Sequence, residues 1–343
     1  MDIQGALAQL VDHTDLTREE TTEVFDIVMS GDATPAQIGA LLAALRVKGE
    51  TAEEIAGAAT TMRALSLKVD ISHPNLVDTC GTGGSGTKLF NISTAAAFVA
   101  AAAGAKVAKH GNRKMTSFCG SADVLEAAGV NLAITPTQIA TCIDEVGVGF
   151  MFAQAHHSAM RFAGPVRQEI GIRTMMNVLG PMTNPAGAKR QVIGVFSRDW
   201  QLKMAEVLSL LGTSHAMIVH SEGLDEIRLD AATHVVELRD GTISEFELSP
   251  TDFGIDLQSS DAVSLLAADS TESSLTLVEQ ALGDPDSLAA DIVSLNAGAA
   301  IYVAGVATNL ANGITMAQDV IAAGLARERF DELVRVTKMM GEE

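Results

Sequence analysis

At 343 residues, 47% of them hydrophobic, the chain is long enough for a large core and for two domains, or for one domain with a substantial insertion. A net charge of -20 excludes the broad basic face that nucleic acid or an anionic membrane surface requires, though a single basic pocket would still hold a small anion. The N-terminus lacks the basic and apolar regions of a signal peptide and no uninterrupted apolar run reaches membrane-spanning length, so a cytoplasmic protein with no membrane contact is expected.

In chain order, residues 1–70 read as helices. Three capping-box patterns punctuate them, Thr17 with Glu20, Thr34 with Gln37 and Thr51 with Glu54, and Pro35 stands where a missing amide hydrogen costs nothing. Ile38, Leu41, Leu42 and Leu45 recur at helical spacing, which suits a small bundle or a dimerisation surface. Ser72-His73-Pro74-Asn75 punctuates a linker, and after it residues 76–79 read as a buried strand running into the glycine loop 81–86. A helix is expected from Thr94 behind a Ser/Thr cap, then a strand at 105–109 and a short helix at 121–128 closed by Gly129. Thr135-Pro136-Thr137-Gln138 opens a helix to Val146, and 149–152 is a third strand. Residues 156–185 read as irregular, with helical pieces at 166–170 and 174–179. Strands at 191–196 and 216–220 flank a helix through Leu211, a hairpin pairs 235–238 with 243–248 about Arg239-Asp240-Gly241, and 275–340 is helical. Alternating strands and helices predict a parallel α/β sheet. Cys80, Cys119 and Cys142 are odd in number and lack metal-type spacing, so reduced thiols are expected.

The local charge of one stretch opposes that of the whole. Between Asp78 and Asp123 there is no carboxylate but five cations, Lys88, Lys106, Lys109, Arg113 and Lys114. A glycine loop between a strand and a helix binds phosphate through converging amides and the positive helix end, or it is simply a tight turn. Lys109 and Arg113, ending the next strand at the same carboxyl edge, favour phosphate. Asp225-Glu226, a carboxylate pair after a strand, suits a hard cation, although such pairs are also ordinary surface. His156-His157, Arg161, Arg167 and Arg173 make a second basic region, in which Glu169 is the only acid between Val146 and Arg198. Guanidinium groups there suit a planar carboxylate.

Gly81-Thr82-Gly83-Gly84, Asn91-Ile92-Ser93-Thr94, Lys109-His110-Gly111-Asn112-Arg113, Gly120-Ser121-Ala122-Asp123, Pro165-Val166-Arg167, Asn177-Val178-Leu179-Gly180-Pro181 and Asp225-Glu226 stand in the order and spacing of one family. Over essentially its whole length the chain resembles the anthranilate phosphoribosyltransferases. The resemblance implies an α/β fold of nucleoside phosphorylase/phosphoribosyltransferase type: a small N-terminal helical domain and a larger α/β domain with a mostly parallel central sheet. The division expected is 1–73 for the helical domain, with 162–187 packing on it as a hinge or helical insertion, and 74–343 for the domain that binds phosphoribosyl pyrophosphate. It further implies a homodimer through the helical domain, transfer of phosphoribosyl to the amine of anthranilate, and magnesium, as two ions. Carried over by residue, Gly81, Thr82, Gly83, Gly84, Asn91, Ser93, Thr94, Lys109, Ser117 and Ser121 would bind phosphoribosyl pyrophosphate. Gly81, Asn112, His157, Arg167, Gly180 and Pro181 would bind anthranilate, and Ser93, Asp225 and Glu226 would hold metal. No covalent nucleophile is implied.

Two positions depart from the family pattern. Ser85 replaces the acid after the glycine motif, and Phe118 interrupts a run that usually carries a cation. Both bear on metal and donor binding. A pyrimidine nucleoside phosphorylase shares the fold, but its lysine-serine phosphate motif is replaced here by Lys109-His110-Gly111-Asn112. A non-catalytic, nucleic-acid-binding paralogue is opposed by the net charge of -20 and by the retained Asp225-Glu226.

Overall fold

The computed structural model describes residues 1–84, 88–113 and 119–341. Four helices open the chain: α1 (Ile3–Val11), α2 (Arg18–Ser30), α3 (Pro35–Lys48) and α4 (Ala52–Leu65). Thr17, Thr34 and Thr51 each accept from the third helical amide, while Glu20, Gln37 and Glu54 bond back, so all three expected capping boxes form. Glu54 also does a tertiary job. Fully buried, it accepts from the Leu16 amide at 3.0 Å and from Lys48 Nζ at 3.0 Å, which offsets the cost of burying its charge.

The rest alternates strands and helices. In order come β1 (Leu76–Gly81), α5 (Ile92–Ala102), β2 (Lys106–Gly111), α6 (Ser121–Ala127), α7 (Pro136–Glu145), β3 (Val148–Phe152), α8 (Ala153–His156) and α9 (Met160–Ile170). Then follow β4 (Arg190–Gly194), α10 (Asp199–Leu210), β5 (His215–His220), β6 (Thr233–Arg239) and β7 (Thr242–Leu248). α11 (Ser260–Ser264), α12 (Thr271–Gly283), α13 (Leu288–Ala304), α14 (Leu310–Ala322) and α15 (Leu325–Met340) close the chain. The strands form one sheet in the order β3-β2-β1-β4-β5-β6-β7, parallel as far as β5 and antiparallel beyond it. At the hairpin, Asp240 and Gly241 take φ of 49° and 81°, as a type I′ turn demands.

From β1 the chain builds outward to β2 and β3, then returns to the other side of β1 with β4 and β5. The winding therefore reverses between β1 and β4, and the crevice outside their carboxyl ends is where such sheets bind ligands. Gly81 and Gly194 are register partners at that edge.

Two packing layers hold this sheet. On one side, Val24, Phe25, Leu41 and Leu45 of the helical bundle share a core with Ala163 and Val166 of α9, with Met175 to Met182, and with Ile218 of β5. On the other, the alanine-rich α5 lies against β1, β2 and the almost wholly buried α13. Among the described residues no single helix is long and apolar enough to cross a membrane.

Two local expectations change. α5 starts at Ile92, not Thr94, and its cap Asn91 makes no side-chain cap bond, because its Oδ1 accepts from Ser274 Oγ at 2.7 Å. α9 runs through Pro165 as a continuous helix where irregular chain was expected. Burial of Ala163 and Val166 against the bundle outweighs the hydrogen bond lost at the proline.

α13 and α14 touch backbone to backbone. A Cβ on Gly298 would come within 2.6 Å of Ile314 Cα, and one on Gly313 within 2.4 Å of the Gly298 carbonyl oxygen. Gly298→Ala should therefore lower unfolding free energy by roughly 1–3 kcal/mol, the usual range for overpacking. Urea midpoints measure this; an unchanged midpoint would mean the helices can part freely.

Candidate active site

The site begins at the carboxyl end of β1. Thr82 donates its amide to the Gly194 carbonyl at 2.8 Å and accepts from the Phe196 amide at 3.2 Å, which ties the glycine loop to β4 and the segment after it. Gly83 and Gly84 take φ of 63° and 79°, a conformation that side chains rarely tolerate. The start of α5 lies beside the same edge, with Thr94 buried and Ser93 partly buried.

The loop after β5 brings the carboxylates. Glu222 (φ 43°) and Gly223 (φ 86°) form a tight turn closed by reciprocal Ser221 and Leu224 backbone bonds of 3.0 and 2.8 Å. This turn drives Asp225 into the crevice. A Cβ on Gly81 would stand 3.0 Å from Asp225 Oδ2, and one on Gly194 only 1.6 Å from the Asp225 carbonyl oxygen. Gly194 was missed by sequence reasoning, although a glycine ending a strand at a ligand-binding edge is a usable signal. Glu226 goes to the helix side and accepts from both the amide (3.2 Å) and the hydroxyl of Ser93.

Burial, and then the neighbouring Asp225, push the Glu226 carboxyl up to about 7, against the pull of the Ser93 bonds. A partly buried acidic pair with a hydroxyl alongside offers hard oxygen donors to a divalent cation. Among the described residues no group of three or more His, Cys, Asp or Glu assembles, so this is not an all-protein cage. Such a partial donor set fits magnesium, which keeps waters and shares its coordination shell with phosphate oxygens.

Lys109 lies under the loop rather than out in the crevice. Only 4% exposed, it donates from Nζ to the Thr79 carbonyl at 2.5 Å, and burial lowers its pKa while Asp78 and Glu226 raise it. Arg113 is committed elsewhere: it pairs with Glu126 at 2.6 Å and Asp123 at 3.3 Å, so it does not join Lys109 as a free phosphate ligand. The acid-free window of the sequence ended just where Arg113 finds its partners. Ser121 sits at the start of α6 and donates to the Asn112 carbonyl at 3.4 Å. Ser85, Ser117 and Phe118 lie outside the described residues.

The second half gathers around two histidines. His110, at the end of β2, and His157, after α8, face each other with ring centroids 5.1 Å apart. Each leaves a buried Nε2 without a partner among the described residues. Burial first, and then His157 and His156, depress His110 to about 3; burial, then His156 and Lys68, depress His157 to about 4, while backbone contacts with Gly180 and Thr183 act in the opposite sense. Both rings thus adjoin the turn that carries Gly180 and Pro181, and both stay neutral at physiological pH. His110 was not singled out from sequence, although a histidine closing a buried strand next to Asn112 could have been.

Arg167, on α9, is partly buried and has no hydrogen bond or ion pair among the described residues; burial lowers its pKa. Arg173, counted from sequence in the second basic region, donates to the Gly84 carbonyl at 2.5 Å and stacks 4.1 Å above the Phe196 ring. It fastens the glycine loop to the segment that follows α9.

A helical bundle beside an α/β body, with a glycine loop, a helix start and an acidic pair gathered at the switch point, is an arrangement suited to a phosphate-handling transferase. Residues 4–66 match the glycosyl transferase family helical bundle domain, and residues 73–327 match the a/b domain of the same family. Similar chains bear a narrower name. The anthranilate phosphoribosyltransferase of Hahella chejuensis is 56% identical with both chains fully covered, and that of Teredinibacter turnerae is 55% identical over 99% of this chain and all of its own. The crystal structure of anthranilate phosphoribosyltransferase from Thermus thermophilus superposes with a TM-score of 0.91 at 40% identity, covering 97% of this chain and 99% of that one. The chain belongs to the anthranilate phosphoribosyltransferase family.

The depressed histidines carry a pH consequence. An unfolded imidazole titrates near 6.5, so acid loads protons onto the unfolded chain before the folded one. The stabilisation is full above about 6.5 and is lost as pH falls toward about 4. In urea titrations at pH 7 and 5, wild type should lose on the order of 1–2 kcal/mol more than His157→Asn over that interval. Parallel losses would show that His157 is not held neutral.

Proposed function

We propose that this chain is a magnesium-dependent pentosyltransferase that moves the phosphoribosyl group of phosphoribosyl pyrophosphate onto the amine of anthranilate. The products are N-(5-phosphoribosyl)anthranilate and pyrophosphate, and the step belongs to tryptophan biosynthesis. The observation that carries this reading is the placement of the glycine loop, Ser93 and Asp225-Glu226 at one switch point, beside a neutral His110–His157 pair, in a chain that matches anthranilate phosphoribosyltransferases along its whole length.

In this reading Gly81 to Gly84, with Asn91, Ser93 and Thr94, hold the diphosphate through backbone amides and the start of α5. Lys109 supports the loop from beneath, adding positive charge without leaving its bond to Thr79. Ser117 and Ser121 complete the donor side. Ser93, Asp225 and Glu226 would hold magnesium, as the two ions that the family resemblance implies, with Asp225 beside Gly81 and Glu226 beside Ser93. Bound there, magnesium supplies charge neutralisation for the departing pyrophosphate.

Gly81, Asn112, His157, Arg167, Gly180 and Pro181 form the acceptor side. Neutral imidazoles keep added charge away from the ring, which leaves Arg167 as the cation that meets the carboxylate. The amine bonds to the anomeric carbon as the bond to pyrophosphate breaks and loses a proton in doing so. The cleft contributes orientation and electrostatics, not a covalent intermediate. We divide the chain into a helical unit at 1–73, with 162–187 closing on it, and a donor-binding unit at 74–343. We further read it as a cytoplasmic homodimer joined through the helical unit, whose exposed Val11 and Val47 (69% and 78%) offer apolar surface to cover.

Anthranilate fluorescence should fall when phosphoribosyl pyrophosphate and magnesium are supplied together, and no loss of signal would sink the proposal. Arg167→Ala should raise the anthranilate KM about 10- to 100-fold, the scale of a hydrogen bond to a charged group. An unchanged KM removes Arg167 from the carboxylate role. Lys109→Ala should instead weaken phosphoribosyl pyrophosphate, with the anthranilate KM little altered; the reverse pattern in steady-state kinetics would exchange the two assignments.

A further inference from the structure

Gln191 is a glutamine where the core needs only an apolar side chain. It lies inside β4, fully buried, and donates from Nε2 to the Pro181 carbonyl at 2.6 Å. A proline carbonyl accepts and never donates, so the amide can face it in only one orientation. That orientation leaves Oε1 buried without a partner among the described residues. An orphaned amide oxygen destabilises the fold, and leucine would fill the space without that cost, so stability does not explain the glutamine. What it gains is a fixed Pro181.

A second amide pins the other end of the same turn. Asn184 donates from Nδ2 to Asp78 Oδ2 and to the Ala108 carbonyl, both at 2.8 Å, while its Oδ1 accepts from the Ala186 amide at 2.9 Å. The remaining oxygen of Asp78 accepts from the His110 amide at 3.1 Å. Asp78 and Gln191 are register partners on adjacent parallel strands, so both project from the same face of the sheet to meet the turn. The turn bearing Gly180 and Pro181 is thereby referenced to β1, β2 and β4. These strands also carry the glycine loop, His110 and Gly194. Among the described residues neither amide hydrogen-bonds to the glycine loop or to the start of α5.

We propose, resting on the site reading given above, that Gln191 is a positioning residue for the acceptor: with Asn184 it holds the Gly180-Pro181 turn in register with the donor-binding strands. Its loss then disturbs where the aromatic amine sits and leaves the hold on the diphosphate donor unchanged.

Gln191→Leu in the full chain tests this, because it removes the bond to Pro181 and the orphaned oxygen together and is expected to fold with an undiminished Tm. Expected is an anthranilate KM raised about tenfold, with the phosphoribosyl pyrophosphate KM within about twofold of wild type, the scale of one hydrogen bond. Hydrogen exchange over residues 178–184, measured on the same samples without substrate, should be faster than in wild type. Asn184→Ala should likewise speed exchange over residues 178–184, at a lower Tm, since it strands Asp78. Unchanged exchange in Gln191→Leu would overturn the pin itself, and equal shifts in both KM values would overturn the acceptor-specific role. A wild-type chain that leaves anthranilate unconsumed would remove the site reading, and the positioning role with it, while the exchange data still report on the pin.

Discussion

The close approach of the Asp225 turn to Gly81 and Gly194 is the constraint on which the rest of the site depends. These two glycines end adjacent strands where the winding of the sheet reverses, and neither could carry a Cβ without meeting the turn. Because the turn fits there, Asp225 reaches Gly81 at the start of the glycine loop and Glu226 reaches Ser93 at the start of α5. The turn is itself strained, with Glu222 in the left-handed region that glycine normally occupies. Backbone bonds to Leu224, the His220 bridge to the Val195 carbonyl at 2.7 Å, and Arg228 near Glu222 hold it in that shape.

Charge in this cleft is arranged by burial more than by count. Asp78 and Lys109 are buried and Glu226 partly buried within a few residues of the sheet edge, and each is displaced by desolvation toward its neutral form. Their mutual attraction opposes that displacement. Lys109 interacts with both carboxylates and Asp78 is further steadied by Asn184 and His110, so these groups form one ion network, of the kind that the proposed donor side would offer a dication and a polyanion. The acceptor side is different in kind. In the reading proposed above, two neutral imidazoles and, on α9, a partly buried Arg167 without an ion pair among the described residues would favour a flat, singly charged acid over a phosphate.

Much of the scaffold was legible because its signals are local. A hydroxyl with an acidic or amide partner three residues on specified four helix starts, the fourth being Thr135 with Gln138, and Asp240-Gly241 specified the hairpin. The glycine loop and the Asp225-Glu226 pair were equally plain, since each is a cluster of chemistry in a few consecutive residues. What escaped was decided across the fold. Arg113 counted as a free cation until α6 brought Glu126 to it, α5 began at Ile92 instead of Thr94 with Asn91 engaged by Ser274 on α12, and Pro165 broke no helix once α9 had a bundle to lie on. His110, Gly194 and Gln191 are unremarkable residues in strands. Their roles arise from what stands opposite them, and no spacing rule reports that.

The two halves of the cleft must also be kept at a fixed distance, and the sheet alone does not do this. The acceptor-side turn belongs to the segment that packs with the helical bundle, where Arg63 donates to the Met182 carbonyl at 2.6 Å and Glu50 accepts from the Met175 amide at 3.0 Å. From the opposite side Gln191 and Asn184 tie it to β4, β1 and β2. The turn is thus clamped between two bodies, and a shift of the bundle relative to the sheet would have to break buried polar bonds on one side or the other. Buried bonds of that kind are costly to leave unmade, so the clamp favours one spacing over a continuum of them. A bimolecular transfer gains most from such a device, because its barrier falls steeply when the nucleophile is held at the reacting carbon instead of being found there by diffusion.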